Sequence, residues 1–299
     1  MNTIAPIVLF AYNRLDNLKN TIDLLKLNFL ANDSDLFIFV DGPKDINQIE
    51  KVQAVRNFIL TITGFSSVHY RFSENNVGLS SSIISGVTEV INIYKKVIVI
   101  EDDLIITKNF LDWMNQALVF YQNDDRIISI CGYGLKVIKP NNYNYDMYMH
   151  GRASSWGWAT WSDRWEKIDW DILDWELFKN DKKSIKNFNK NGSDMFYMLK
   201  CSMNGKNSSW AIRFCYNQFK QNKYSVFPFL SKVNNNGFGI HATNCKGSYS
   251  RFKANMDVDQ LREFNFGPLQ INKKIEKGIF FYHTLHNRFY SLIRNKFKI

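Results

Sequence analysis

The chain has 299 residues, 45% hydrophobic and 22% charged, with only five prolines. Those values exclude a disordered, collagen-like or low-complexity polypeptide and point to one large domain, or a domain with an appendage. A net charge of +10 favours phosphate-bearing partners or an anionic membrane face, and an aromatic content of 15% suits both a large core and carbohydrate rings. Cys131, Cys201, Cys215 and Cys245 form no C-x-x-C pair. A zinc site and a disulfide framework are therefore not expected, and a reducing compartment is. No basic leader and no 18-residue apolar run occurs. The expectation is a cytoplasmic protein without a transmembrane helix.

The first 130 residues alternate between two patterns. Residues 4–11 are continuous, apolar and β-branched, which reads as a buried strand. Residues 15–27 carry Leu18, Ile22 and Leu25 on one helical stripe. Strand 35–40 follows, then helix 49–62 with Val52, Val55 and Ile59 on one face, then strand 68–72. Ile83, Val87, Val90 and Tyr94 recur at helical spacing before strand 97–100. A helix over 109–121 and a strand over 127–131 complete the series. This order predicts an α/β fold with a mostly parallel, doubly wound sheet.

The second half is less regular. Residues 140–148 are Asn- and Tyr-rich and read as a loop, and 182–191 as a polar, basic connector. Residues 154–161 hold Trp156, Trp158 and Trp161 at spacings that fit neither helix nor strand clearly. A helix over 209–220, a strand over 226–230 and a Gly/Asn-rich loop over 234–241 follow. No internal repeat occurs.

Doubly wound sheets bind ligands at the carboxyl ends of their strands. Three polar clusters end strands at that edge: Tyr12-Asn13-Arg14, Asp41-Gly42 and Glu101-Asp102-Asp103. Three adjacent carboxylates repel one another unless a cation neutralises them, and carboxylate oxygens suit Mg²⁺ or Mn²⁺. A solvated acidic turn is the plainer reading; its place at the ligand edge favours the metal. Asp41 can accept hydrogen bonds from a base or ribose, or close an Asx turn with Gly42. Arg14 can pair with a diphosphate. As a surface arginine it would sit unfavourably at a helix start.

The segments 5–14, 40–42, 75–80 and 97–104 together resemble those of GT-A glycosyltransferases. The likeness is to the N-acetylglucosaminyltransferase I family and its bacterial relatives in surface-polysaccharide synthesis. Residues 155–161 and 210–213 extend it, over roughly residues 4–245. The resemblance implies a GT-A domain over 1–245, with a nucleotide-binding half over 1–132 and an acceptor half over 133–245. Residues 246–299 would form a C-terminal extension. It implies Asp103 as the ligand of Mn²⁺ or Mg²⁺, Asp102 at the ribose, Asp41 at the uracil and Arg14 at the nucleotide of a UDP-sugar donor. A late His near the metal is a further implied feature, met here by His241.

An inverting transferase also needs a base for the acceptor hydroxyl. In the resembled family that carboxylate precedes the helix that begins here at Trp210, where this chain has Ser208 and Ser209. Serine cannot act as that base, so either the base comes from elsewhere, with Asp194, Asp169, Asp171 and Asp174 as candidates, or activity is altered or lost. Trp156, Trp158, Ser208, Ser209 and Arg213 are expected on the acceptor side. The acceptor is expected to be a growing glycan, lipid-linked. The tail over 278–299 mixes aromatics with Arg288, Arg294, Lys296 and Lys298. It fits peripheral contact with an anionic membrane, or a helix docked on the core.

Two rivals remain. A metal-dependent nucleotidyltransferase would show a Gly-rich loop after the first strand, and residues 10–14 contain no glycine. A non-catalytic binder of glycan or nucleotide-sugar is compatible with the missing acid at Ser208 and Ser209. Nucleic acid is not an expected partner, because the bases are spread along the chain and not gathered with aromatics into a stacking platform.

Overall fold

The computed structural model of the chain describes residues 4–235 and 252–297. The first half contains β1 (Ile7–Ala11), α1 (Leu15–Lys26), β2 (Asp35–Val40), α2 (Ile49–Ile59), β3 (Ser67–Phe72), α3 (Leu79–Tyr94) and β4 (Lys96–Glu101). Then come β5 (Leu104–Ile106), α4 (Phe110–Phe120), β6 (Ile127–Cys131), β7 (Met147–His150) and β8 (Trp158–Trp161). The helices α5 (Ser162–Trp165), α6 (Trp175–Phe178), α7 (Lys182–Phe188), α8 (Met195–Met203) and α9 (Trp210–Lys220) follow. The chain continues through β9 (Tyr224–Pro228), β10 (Val233–Asn235), α10 (Lys273–His283) and α11 (Leu285–Phe297).

An eight-stranded sheet runs in the order β3-β2-β1-β4-β8-β6-β9-β7. Strands β3, β2, β1 and β4 pair in parallel, as do β6 and β9. Strands β8 and β7 run antiparallel to their neighbours. The sheet is thus mostly parallel, as the alternating pattern predicts. Buried on both faces, its central strands are mostly apolar, with Ser129 and Thr160 as buried polar exceptions. Alternate residues go to opposite sides: Ile7, Leu9, Ile98 and Ile100 join the core beneath α1, α2 and α4. Val8, Phe10, Val97 and Val99 join the core beneath α3 and α9. Gly86 lets α3 approach the sheet, since a Cβ there would lie 2.8 Å from the Phe10 ring.

Three local expectations change. Residues 147–150 pair with β9 as strand β7, although their Asn/Tyr-rich surroundings suggest a loop. The connector expected over 182–191 begins with helix α7, capped by the Asp181 carboxylate accepting from the Lys183 and Ser184 amides. The Trp-rich segment supplies strand β8, inserted between β4 and β6. Strand β6 therefore pairs only with strands from beyond residue 132, and one sheet runs through both expected halves. Beyond residue 252, Phe266, Ile275 and Ile279 join the main core. Lys232 forms a buried ion pair with Asp257, which also accepts from the Asn109 amide at 2.8 Å. No helix among the described residues is long and apolar enough to cross a membrane.

Candidate active site

The parallel pairing of β1 with β4 sets Tyr12-Asn13-Arg14 beside Glu101-Asp102-Asp103. Arg14 stands at the start of α1 without capping it. Its guanidinium donates to Asp102 Oδ1 at 2.5 Å and to Asp103 Oδ2 at 3.0 Å. The Tyr12 amide adds a long bond to Asp102 Oδ2, 3.4 Å. Asp102 is buried, while Arg14 remains one-third exposed (side chain 33%). Two antiparallel strands, β5 and β10, then bring the Asn235 amide within 3.3 Å of Asp103 Oδ1.

One guanidinium does not balance three carboxylates. Burial pushes the Glu101 carboxyl up to about 8, with Asp103 and Asp102 adding to the rise and Arg14 opposing it. Burial likewise raises Asp102 to about 6, against the pull of Arg14. Among the described residues, no group of three or more His, Cys, Asp or Glu side chains is arranged to hold a metal ion. The oxygen-only donors at 101–103 and their surplus negative charge do fit a hard divalent cation. Such a cation takes one or two protein carboxylates and completes its shell with phosphate and water. His241 lies outside the described residues.

Asp41 follows β2, one strand from β1. Its carboxylate accepts from the Gly42, Val77 and Gly78 amides, each at 2.9 Å. Asn76 returns a bond to the Gly42 carbonyl at 2.8 Å. Asp41 thus locks the loop before α3, and its oxygens are engaged by backbone. Gly78 sits at φ 82°, ψ 154°, a conformation essentially confined to glycine.

A cavity of about 430 Å³ opens over the β6-β9-β7 end of the sheet, walled by α8, α9 and α10. Tyr133, Tyr148, Trp156, Phe227 and Phe252 supply aromatic walls, and Asn207 and Ser209 polar ones. Trp156 meets Tyr133 edge to face at 4.7 Å. Gly157, next to Trp156, packs so closely on β10 that a Cβ there would lie 3.1 Å from Val233. Asn235, two residues further along β10, donates to Asp103, so β10 touches both the turn at Gly157 and the carboxylate cluster.

Within this cavity lie groups that the sequence did not single out. Arg152 donates to Asp194 Oδ1 at 2.7 Å and contacts His283 Nδ1 at 3.1 Å. The His150 Nδ1 accepts from the Arg152 amide at 3.2 Å. Burial, with Arg152 adding, lowers His150 to about 4, so it is neutral near pH 7. The Gly-Arg pair before Ser154-Ser155-Trp156 was the available signal, but nothing local announces partners 42 and 131 residues away.

Several expected site residues take other places. Asp194 was the candidate base. Burial would raise its carboxyl, but the Arg152 charge and hydrogen bond outweigh burial and hold it down at about 2, which makes it a weak base. Trp158 is core: it is 2% exposed and stacks on Trp165 at 5.7 Å, with Trp210 at 4.9 Å. Arg213 binds the Trp170 carbonyl and the Ser202 hydroxyl, bracing helices away from the cavity wall. Ser209 lines the cavity while capping α9 through the Ile212 amide. Ser208 is exposed and outside the cavity lining. Asp169 caps the 171–173 turn, and Asp174 pairs with Lys220.

No protein-family model and no curated protein matches the chain. Among solved structures, the chain is similar to the mannosyltransferase PcManGT from Pyrobaculum calidifontis, solved in complex with GDP-Man and Mn²⁺. The identity is 12% and the TM-score 0.38, over 54% of this chain and 45% of that one. The match therefore spans less than half of the mannosyltransferase, and a likeness this faint fixes neither donor nor metal here.

Proposed function

We propose that this chain is a metal-dependent glycosyltransferase of the GT-A type, moving a sugar from a UDP-sugar to a growing, lipid-linked surface glycan. The carrying observation is the junction of Arg14 with Asp102 and Asp103 at the carboxyl edge of parallel strands. Open α/β sheets bind ligands at that edge. In this reading Asp102 and Asp103 fix Arg14. The guanidinium retains donors beyond those given to the carboxylates, in a fork that matches phosphate oxygens. Asp103 would hold Mn²⁺ or Mg²⁺, which when bound supplies charge to offset that building on the departing diphosphate. Asp41 positions the 75–78 loop at the nucleotide edge. The cavity takes the acceptor sugar, with Trp156 and Tyr133 as flat faces and Ser209 and Asn207 as polar contacts.

A second reading is favoured by one observation: the cavity lining contains no Asp or Glu among the described residues. A binder of glycan or nucleotide-sugar without turnover fits that lining. Thermal shift with UDP, with and without Mn²⁺, tests the common part. Stabilisation by UDP that needs the metal and is lost in a folded Asp103→Ala variant supports the site. Stabilisation by nucleoside triphosphates and not by UDP would overturn it. Release of UDP from a sugar-nucleotide panel separates transferase from binder.

A further inference from the structure

Helix α7 and the turn after it expose Lys182, Lys183, Lys186 and Lys190. Lys182, Lys186 and Lys190 share a shallow groove with Ile185 and Phe280 of α10, so the two helices form one surface. From there the surface turns apolar. Phe281 is 59% exposed, and Leu285, Phe289 and Ile293 are exposed at four-residue intervals along α11. No Asp or Glu occurs from Lys277 to Ile299, a span that contains Lys277, Arg288, Arg294, Lys296 and Lys298. Exposed apolar side chains grouped this closely mark an interaction site.

Charge decides what covers it. A second copy docked symmetrically on the same face would set cation against cation. Aromatic and aliphatic side chains flanked by lysine and arginine instead match an acidic lipid surface, where the apolar groups enter the headgroup layer and the cations meet phosphates. With no helix among the described residues able to span a bilayer, the surface would lie on one. We propose that α7, α10 and α11 form a docking surface for an anionic lipid bilayer.

The placement has a geometric corollary, which rests on the transferase reading. Ile279 and His283 of α10 line the cavity, whereas Phe280 and Phe281 lie outside. One helix is both cavity wall and membrane face. A glycan anchored in the bilayer would reach the cavity by passing around α10.

Flotation of the full chain with phosphatidylcholine vesicles, with and without about a third phosphatidylglycerol, tests the docking. Binding is expected only to the acidic vesicles and should weaken with salt. A Lys182→Gln, Lys186→Gln, Lys190→Gln variant should bind about a hundredfold more weakly, at roughly fivefold per lysine. Phe281→Ser with Phe289→Ser should also weaken binding. All five positions are exposed, and an unchanged urea midpoint would verify folding. Equal binding to neutral vesicles, no binding to acidic ones, unaltered binding by both variants, or a solution dimer that the phenylalanine variant dissociates would each overturn the proposal. The assay contains neither nucleotide nor metal. Its failure leaves the transferase reading standing, and a failed UDP assay leaves the docking standing.

Discussion

Replacing Asp194 by Asn should cost stability before it costs chemistry. The carboxylate is 7% exposed and faces Arg152 through contacts of 2.7 and 3.4 Å, and the arginine side chain is itself 17% exposed. A fall from 3.8 to about 2 in the carboxyl pKa corresponds to about 2 kcal/mol of preference for the charged, folded state at pH 7. Breaking a buried pair from one side costs about 3–5 kcal/mol, and asparagine retains one acceptor. A loss of about 2–4 kcal/mol follows, or about 1 M in urea midpoint for a slope near 3 kcal/mol/M. The sign in pH is fixed. A depressed carboxyl pKa stabilises above the unfolded value, and the benefit disappears as pH falls from about 4 to about 2. The gap between wild type and variant should close over that window. Urea titrations across pH measure this directly. A variant as stable as wild type at pH 7 but unable to release UDP from the donor would refute the argument and return Asp194 to the role of base.

His150 predicts the same sign in a higher pH window. Its folded pKa of about 4 lies below the ordinary 6.5, so the unfolded chain binds a proton first and stability falls as pH drops from about 6.5 to 4. That slope is worth about 3 kcal/mol and should vanish in His150→Gln, as urea midpoints at several pH values would show. Asp41→Ala should leave the Val77 and Gly78 amides without their acceptor and cost about 2–4 kcal/mol. Gly78→Ala should cost about 1–3 kcal/mol through backbone strain alone, because nothing lies within 4 Å of the added Cβ. Thermal unfolding reads both. Trp158→Ala should lose about 3–5 kcal/mol, whereas Trp156→Ala should lose about 1–2 and show its main defect in acceptor affinity. Equal stability losses would deny the division between core and cavity.

Much of the first half was legible because its signals are local. Ile7–Ala11 and residues 97–100 within Lys96–Glu101 are continuous apolar runs, and the helices between them bury a single stripe, as Leu18, Ile22 and Leu25 do in α1. The polar clusters after β1 and β4 could be placed at one edge because parallel strands share a direction. Strand β8 was not legible: buried on both sides of the sheet, Trp158–Trp161 carries no alternation of polar and apolar residues. Helix α7 has only Ile185 and Phe188 as apolar residues, so its stripe is faint, although the Asp181 cap was a signal that could have been read. The environment of Asp194 was beyond reach, because its charge state depends on an arginine 42 residues earlier in the chain.

The insertion of β8 bears on how the molecule acquires its structure. A strand from residues 158–161 separates strands that end at 101 and begin at 127, so the earlier strands cannot finish their hydrogen-bond ladder before it arrives. A fragment stopped at residue 132 would leave β6 with neither neighbour and β4 with one bare side. Cooperativity should therefore extend across both segments. Limited proteolysis in the stretch between β6 and β8 would be expected to yield two pieces that remain associated and melt together.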